Sequence, residues 1–411
     1  MNRYVIIGNG IAGIGAAETI RSLDPQGSIT IVAGEEFPPY SRPMISLLLE
    51  GAVGKEQLFL RSHDFYSKLE IQTFIGEKAA SLDVDAKSVL TERGRRVDYD
   101  RLLIATGADP RPIKAAGNDL GNVSFMRTQA HVDTMLQALP SVKQALVLGG
   151  GLVGFKAAYG LLRRGIETTM LIRSGYPLSM QVDETAGRLI LDELTANGLQ
   201  VKVGVEVEAF EGKGGFIRQA RLSDGTVLPC RLAVVGKGVL PATDFVPKDR
   251  IKVDLGIVVD DHLETGVPGV YAAGDVAQAM DVARKQSWVN AIWPVAIQQG
   301  RVAGANMAGR PVSFPGSIGR NVIRVFGLDV LAGGLLYPPR DGGYTELKRF
   351  DPARKTYRRL ILRGDVPVGL VMVGEIEQGG VILSLIQRQL PLAVDPELIL
   401  EPSFTVATLL S

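Results

Sequence analysis

Two glycine-rich turns constrain this chain more than any other feature. Residues 1 to 20 read MNRYVIIGNGIAGIGAAETI, and residues 149 to 165 read GGGLVGFKAAYGLLRRG. In the first, a β-branched run from Arg3 to Ile7 meets Gly8, Gly10 and Gly13. An alanine-rich helical stretch then runs to about Leu23, and Ile29 to Val32 reads as the next strand. In such a unit the first glycine permits the tight turn, the second lets a pyrophosphate approach the backbone, and the third lets helix and strand pack closely. Exposed N–H groups at the helix start then hold the anion. The second unit repeats this grammar. A strand at Ala145 to Leu148 meets Gly149, Gly151 and Gly154; a helix runs on to about Arg164, Gly165 stops it, and Glu167 to Ile172 form the next strand. One GxGxxG is weak evidence, whereas two, each framed by strand, helix and strand, predict two dinucleotide sites.

The residues beyond each second strand differ. Glu35 comes after Gly13 by about the interval expected of a carboxylate that binds a ribose, with Glu36 as the alternative. The second unit instead ends in LIRS, residues 171 to 174. Arg173 there has the charge that accommodates a 2′-phosphate, which favours NADPH over NADH. Arg163 and Arg164 either add to that charge or face solvent, and Asp183 and Glu184 downstream weaken it. The simplest pair of dinucleotides that exchanges electrons is a flavin and a nicotinamide.

The chain has 411 residues, enough for two or three domains. Its net charge of +1 gives no general attraction to nucleic acid or anionic lipid. No uninterrupted apolar run of membrane-spanning length occurs. The glycines at 8, 10 and 13 break the N-terminal apolar stretch and argue against a signal peptide, so a cytoplasmic location is expected. A single cysteine, Cys230, excludes an internal disulfide and a CxxC pair. His63, His131 and His262 have no spacing suited to a metal site.

Further segments complete a pattern: PPYSRPMIS (38 to 46), IATGADP (104 to 110), VVGKGVLP (234 to 241), VYAAGDVA (270 to 277) and IWPVAIQQGRVAGANMAG (292 to 309). With the two glycine units, these resemble the pyridine-nucleotide:flavin oxidoreductases of the two-dinucleotide-binding-domain type. The nearest branch is the ferredoxin, rubredoxin and nitrite reductase flavoproteins. Residues 356 to 388, TYRRLILRGDVPVGLVMVGEIEQGGVILSLIQR, resemble the end domain of that branch.

The resemblance implies an α/β fold with two Rossmann-like domains and a small C-terminal α+β domain. An FAD-binding domain (1–112 and 241–312) would be interrupted by an NAD(P)H-binding domain (113–240), with residues 313–411 supporting dimerisation. For FAD it implies Gly8, Gly10, Ala12 and Gly13 at the pyrophosphate, Glu35 or Glu36 at the ribose, Arg42 and Pro43 beside the cofactor, and Ala79 at adenine. It further implies Arg127 as a contact, Thr106 and Gly107 at a strand crossover, Gly274 and Asp275 at the ribityl chain, and the Trp293 backbone at the pyrimidine edge. For the pyridine nucleotide it implies Gly149, Gly151, Gly154 and Gly236; Arg173, the 2′-phosphate reader proposed above, is a departure, since NAD sites generally end this strand in an acid. The acceptor would be a small redox protein or a small molecule. The same fold carried by a non-catalytic FAD subunit or redox sensor is the competing reading.

The sequence departs from the family in two further ways. The disulfide-reducing members carry redox cysteines just after the first unit, where this chain has PPYSRPMISLLLEGAVG; Met44 is a thioether and cannot replace them. Members of the branch also pair a glutamate at position 156 with a lysine near position 47, and here those positions hold Lys156 and Leu47. Near a helix N-terminus a cation opposes the macrodipole by about 0.3–1 kcal/mol. Lys156 is either a solvated helix lysine or a candidate catalytic cation beside the flavin.

Overall fold

The Arg3–Ile7 strand lies at the centre of a five-stranded, all-parallel sheet. On one side it pairs with Ser28–Ala33 and then Ile71–Ile75; on the other with Arg101–Ile104 and then Val270–Ala272. Parallel sheets are covered on both faces, so their strands need near-continuous apolar runs. Tyr4, Val5, Ile6 and Ile7 are accordingly all buried. The Ile11–Leu23 helix packs against the Trp293–Met307 helix backbone to backbone. A β-carbon on Gly300 would fall 2.1 Å from the Ala12 carbonyl oxygen, and one on Gly304 would fall 2.7 Å from that of Ala16. Glycine inside a helix costs about 1 kcal/mol relative to alanine; here no larger residue admits the crossing.

The computed structural model describes residues 1–409. These elements belong to one of two units, formed by Met1–Ser41, Leu58–Asp109 and Leu240–Gly319. The other comprises Arg42–Gln57, Pro110–Val239 and the chain from Arg320 onward.

The second unit has its own parallel sheet, ordered Gln200–Val203, Glu167–Ile172, Gln144–Leu148, Leu232–Val235, Val123–Phe125. It also has an antiparallel sheet, ordered Arg320–Val325, Leu328–Gly334, Val366–Val373, Thr356–Arg363, Tyr344–Asp351, with the Gly379–Arg388 helix against it. The short Ile45–Glu50 helix joins this unit by packing on the Leu152–Arg163 helix. Gly160 leaves room for the Glu50 backbone, and the Arg164 guanidinium donates to the carbonyls of Leu48 and Leu49. A cation at the carbonyl end of a helix satisfies orphan acceptors and suits the dipole. No helix among the described residues is long and apolar enough to cross a membrane.

Candidate functional site

Both glycine turns have the conformation their sequences require. Gly8 has φ +118°, its N–H donates to the Val32 carbonyl at 2.8 Å, and a β-carbon on it would lie 2.1 Å from the Ala105 oxygen. Gly149 has φ +108°, its N–H donates to the Leu171 carbonyl at 2.9 Å, and a β-carbon would lie 2.5 Å from the Gly236 oxygen. The third glycines are equally confined: a β-carbon on Gly13 would approach the Gly8 oxygen to 2.1 Å, and one on Gly154 the Gly149 oxygen to 1.9 Å. The middle glycines, Gly10 and Gly151, have no neighbour within 4 Å of a β-carbon.

That open space adjoins unsatisfied donors. Gly10 and Gly151 are the N-caps of their helices; neither helix has a side-chain cap or an acid in its first turn. By contrast Thr128 caps the Gln129–Ala138 helix and Asp183 caps the Glu184–Ala196 helix. Free N–H groups, a positive dipole end and room for oxygen atoms together fit a diphosphate.

Around the first turn, Gly274 adopts φ +82°, with a would-be β-carbon 3.3 Å from that of Ala12, and its N–H donates to Gln299 at 2.8 Å. Asp275 is next in the chain and partly exposed. Thr106 donates its hydroxyl to the Ala242 carbonyl at 2.8 Å, and the Ala242 N–H donates to Gly107 at 3.0 Å, joining two passes of the chain. Glu35, two residues beyond its strand, accepts the Tyr40 hydroxyl at 2.6 Å. Ala79 opens the Ala79–Asp83 strand opposite Thr91. Trp293 is the first, half-buried residue of its helix, with Pro294 next, where a missing N–H costs nothing.

Arg42 and Arg127, from separate sequence segments, meet in the second unit: the Arg42 guanidinium donates to the Arg127 carbonyl at 3.1 Å. Pro43 is exposed beside them. At the second turn, Gly236 is a packing necessity, because a β-carbon there would lie 2.7 Å from the Gly154 nitrogen. Arg173 is exposed just past the Glu167–Ile172 strand. Arg163 pairs with Glu50 at 3.6 Å and Arg164 bonds the Leu48 and Leu49 carbonyls, so both are engaged at the Ile45–Glu50 helix.

Sequence reasoning missed a companion of Arg173. Lys237, inside VVGKGV, contacts Glu206 at 2.7 Å. The Lys237 ammonium, helped by Arg173, holds the Glu206 carboxyl below the usual glutamate range. The signal for it was a lysine directly after the packed glycine of the fourth parallel strand.

Lys156 is half-buried in its helix and, among the described residues, has neither hydrogen bond nor ion pair. Burial pushes its ammonium below the ordinary lysine range. Cys230 is buried, and burial pushes its thiol up to about 12. It is therefore no thiolate nucleophile near neutral pH.

Known proteins resemble this chain. The pyridine nucleotide-disulphide oxidoreductase family matches residues 2–300, and the rubredoxin NAD+ reductase C-terminal domain matches residues 320–390. Nitrite reductase (NAD(P)H) of Bacillus subtilis is 31% identical over 389 residues, which cover 94% of this chain and 47% of that protein. The epsilon subunit of the NADH-dependent phenylglyoxylate dehydrogenase of Aromatoleum evansii is 32% identical over 390 residues, covering 94% and 92%. The chain spans about half the length of the first two curated relatives it matches. Among solved structures, the covalent putidaredoxin reductase–putidaredoxin complex superposes with a TM-score of 0.91 at 25% identity, covering 100% of this chain and 98% of that one.

Proposed function

Because the chain belongs to the pyridine nucleotide-disulphide oxidoreductase family, we propose that it passes hydride from NAD(P)H to FAD and then electrons to a small redox protein or small-molecule acceptor. No redox disulfide takes part. The observation that carries this reading is the duplicated turn, closed at its first and third glycines and open at Gly10 and Gly151. The FAD-binding portion is residues 1–112 and 241–312, the NAD(P)H-binding portion 113–240, and 313–411 form a C-terminal domain suited to homodimer formation in the cytoplasm.

FAD, when bound, supplies a carrier that takes up two electrons at once and releases them singly or in pairs. The chain's own task is binding and orientation, because hydride transfer needs two rings stacked at the right distance rather than a side-chain acid or base. Gly8, Gly10, Ala12 and Gly13 would hold the FAD diphosphate, and Glu35, kept in place by Tyr40, would hold its ribose. Ala79, Thr106, Gly107, Gly274, Asp275 and the Trp293 backbone would complete that site within the first unit; the family resemblance assigns Arg42, Pro43 and Arg127 to FAD as well. Gly149, Gly151, Gly154 and Gly236 hold the pyridine nucleotide, and Arg173 reads a 2′-phosphate, so NADPH is preferred over NADH. Lys156 takes the place of the branch's glutamate and supplies a positive charge that favours reduced flavin.

The test is a stopped-flow comparison of NADH and NADPH with the yellow protein, then a screen of protein and small-molecule acceptors. Faster flavin reduction by NADPH is expected. Persistent colour with both nucleotides would instead support the non-catalytic FAD subunit.

A further inference from the structure

We propose that the C-terminal sheet sets the affinity of the second turn for its pyridine nucleotide, acting through a strap at Ser174–Asp183. This rests on the second turn being the pyridine-nucleotide site and adds positioning residues to it.

The strap starts directly after Arg173 and ends at Asp183, the N-cap of the Glu184–Ala196 helix. At its middle the Leu178 N–H donates to the Gly150 carbonyl at 2.6 Å. Gly150 lies between the strained Gly149 and the open Gly151, so the strap holds the peptide that orients the phosphate-facing N–H of the turn. Leu178 is fully buried and has φ +57°. A left-handed leucine costs on the order of 1–2 kcal/mol and persists only where its surroundings enforce it. The Gln181 and Val182 N–H groups close on its carbonyl at 2.7 and 3.0 Å.

The enforcing groups come from the antiparallel sheet and from the loop that follows its Leu328–Gly334 strand. The Tyr337 hydroxyl shares its one proton between the carbonyls of Ser179, at 2.6 Å, and Val182. The Tyr357 hydroxyl donates to Asp183 Oδ2 at 2.5 Å, and the buried Arg359 Nε lies 3.5 Å from the same oxygen. Arg359 is itself fixed by the Leu336 carbonyl at 2.9 Å and by Glu346 at 3.0 Å. The other Asp183 oxygen accepts the Ala186 N–H at 3.3 Å. Helix capping by itself needs only that last bond. Tying the cap to a sheet more than 150 residues away joins the C-terminal domain to the glycine turn through three groups: hydroxyl, strap carbonyl and the Leu178 amide. Tyr337, Tyr357 and Arg359 are therefore positioning residues for the nucleotide.

The test uses the full-length flavoprotein with Tyr337→Phe and Tyr357→Phe, and with Tyr344→Phe as a control whose hydroxyl serves the same sheet but not the strap. Single-turnover flavin reduction separates nucleotide Kd from the hydride-transfer rate. Losing one such bond predicts a Kd for NADPH raised about two- to tenfold in the two strap variants. The rate at saturation and the FAD content stay at wild-type values, and amide exchange at Leu178 is faster. Tyr344→Phe behaves as wild type. Unchanged Kd in both strap variants, or an equal rise in Tyr344→Phe, overturns the inference alone. A wild-type protein that binds neither NADPH nor NADH overturns the proposed function as well.

Discussion

The two glycine turns of this chain are nearly the same object. Their first glycines have φ +118° and +108°, each donating to the next strand, and their third glycines sit against the first ones' oxygens. They differ in the residue beyond the second strand, a carboxylate braced by a tyrosine in one unit and an exposed arginine in the other. They differ again further along the chain, where only the second unit carries a strap tied to an added sheet. The lesson is a division of labour. On the proposed function, backbone sterics and free N–H groups decide that a diphosphate binds, while side chains at the strand end and beyond decide which dinucleotide it belongs to.

The comparison breaks most visibly at the third glycines. Gly13→Val should yield colourless or insoluble protein, since its side chain collides with the Gly8 carbonyl. Gly154→Val should stay yellow but lose about a hundredfold in flavin reduction by NADPH, the scale of a reactant displaced by about 1 Å; absorbance and stopped-flow traces separate the two. Equal FAD loss in both variants would mean that the turns do not hold different dinucleotides.

Arg173→Glu sharpens the strand-end difference. Removing a charge-assisted bond of about 1.5–3 kcal/mol should raise the KM for NADPH about 10- to 100-fold while changing that for NADH far less. Parallel changes for both nucleotides would deny Arg173 the 2′-phosphate.

The smallest effect concerns the lysine, Lys156, on the second helix. Its pKa in the folded chain lies below the unfolded value, so the folded state binds a proton more weakly. Stability then rises with pH between the folded and unfolded pKa values. Lys156→Met should therefore melt slightly higher at neutral pH, with the gain shrinking as pH climbs into the ordinary lysine range, and its flavin potential should fall. A gain independent of pH would contradict a desolvated cation.

The turns were legible because glycine is the one residue that satisfies φ near +110° or a carbonyl 2 Å from where a β-carbon would be. The places of Glu35 and Arg173, just beyond their second strands, were legible from spacing. The remainder depends on where distant segments land. Arg163 and Arg164 are exposed, one of the two readings their sequence allows, but spacing does not report that they also pair with Glu50 and the Leu48 and Leu49 carbonyls of the Ile45–Glu50 helix. Lys237 and Glu206 are 31 residues apart, and Tyr357 and Asp183 are 174 apart; no local periodicity reports such pairs. Gly300 and Gly304 did carry a signal, glycines one turn apart in an alanine-rich helix, which points to a close helix crossing.

The central claim is that two dinucleotides exchange electrons without sulfur. Anaerobic addition of NADPH to purified Cys230→Ala protein tests it most directly. The account predicts a yellow protein that bleaches promptly, at the wild-type rate. Material that takes up no flavin, or that keeps its colour while the wild type bleaches, would contradict it.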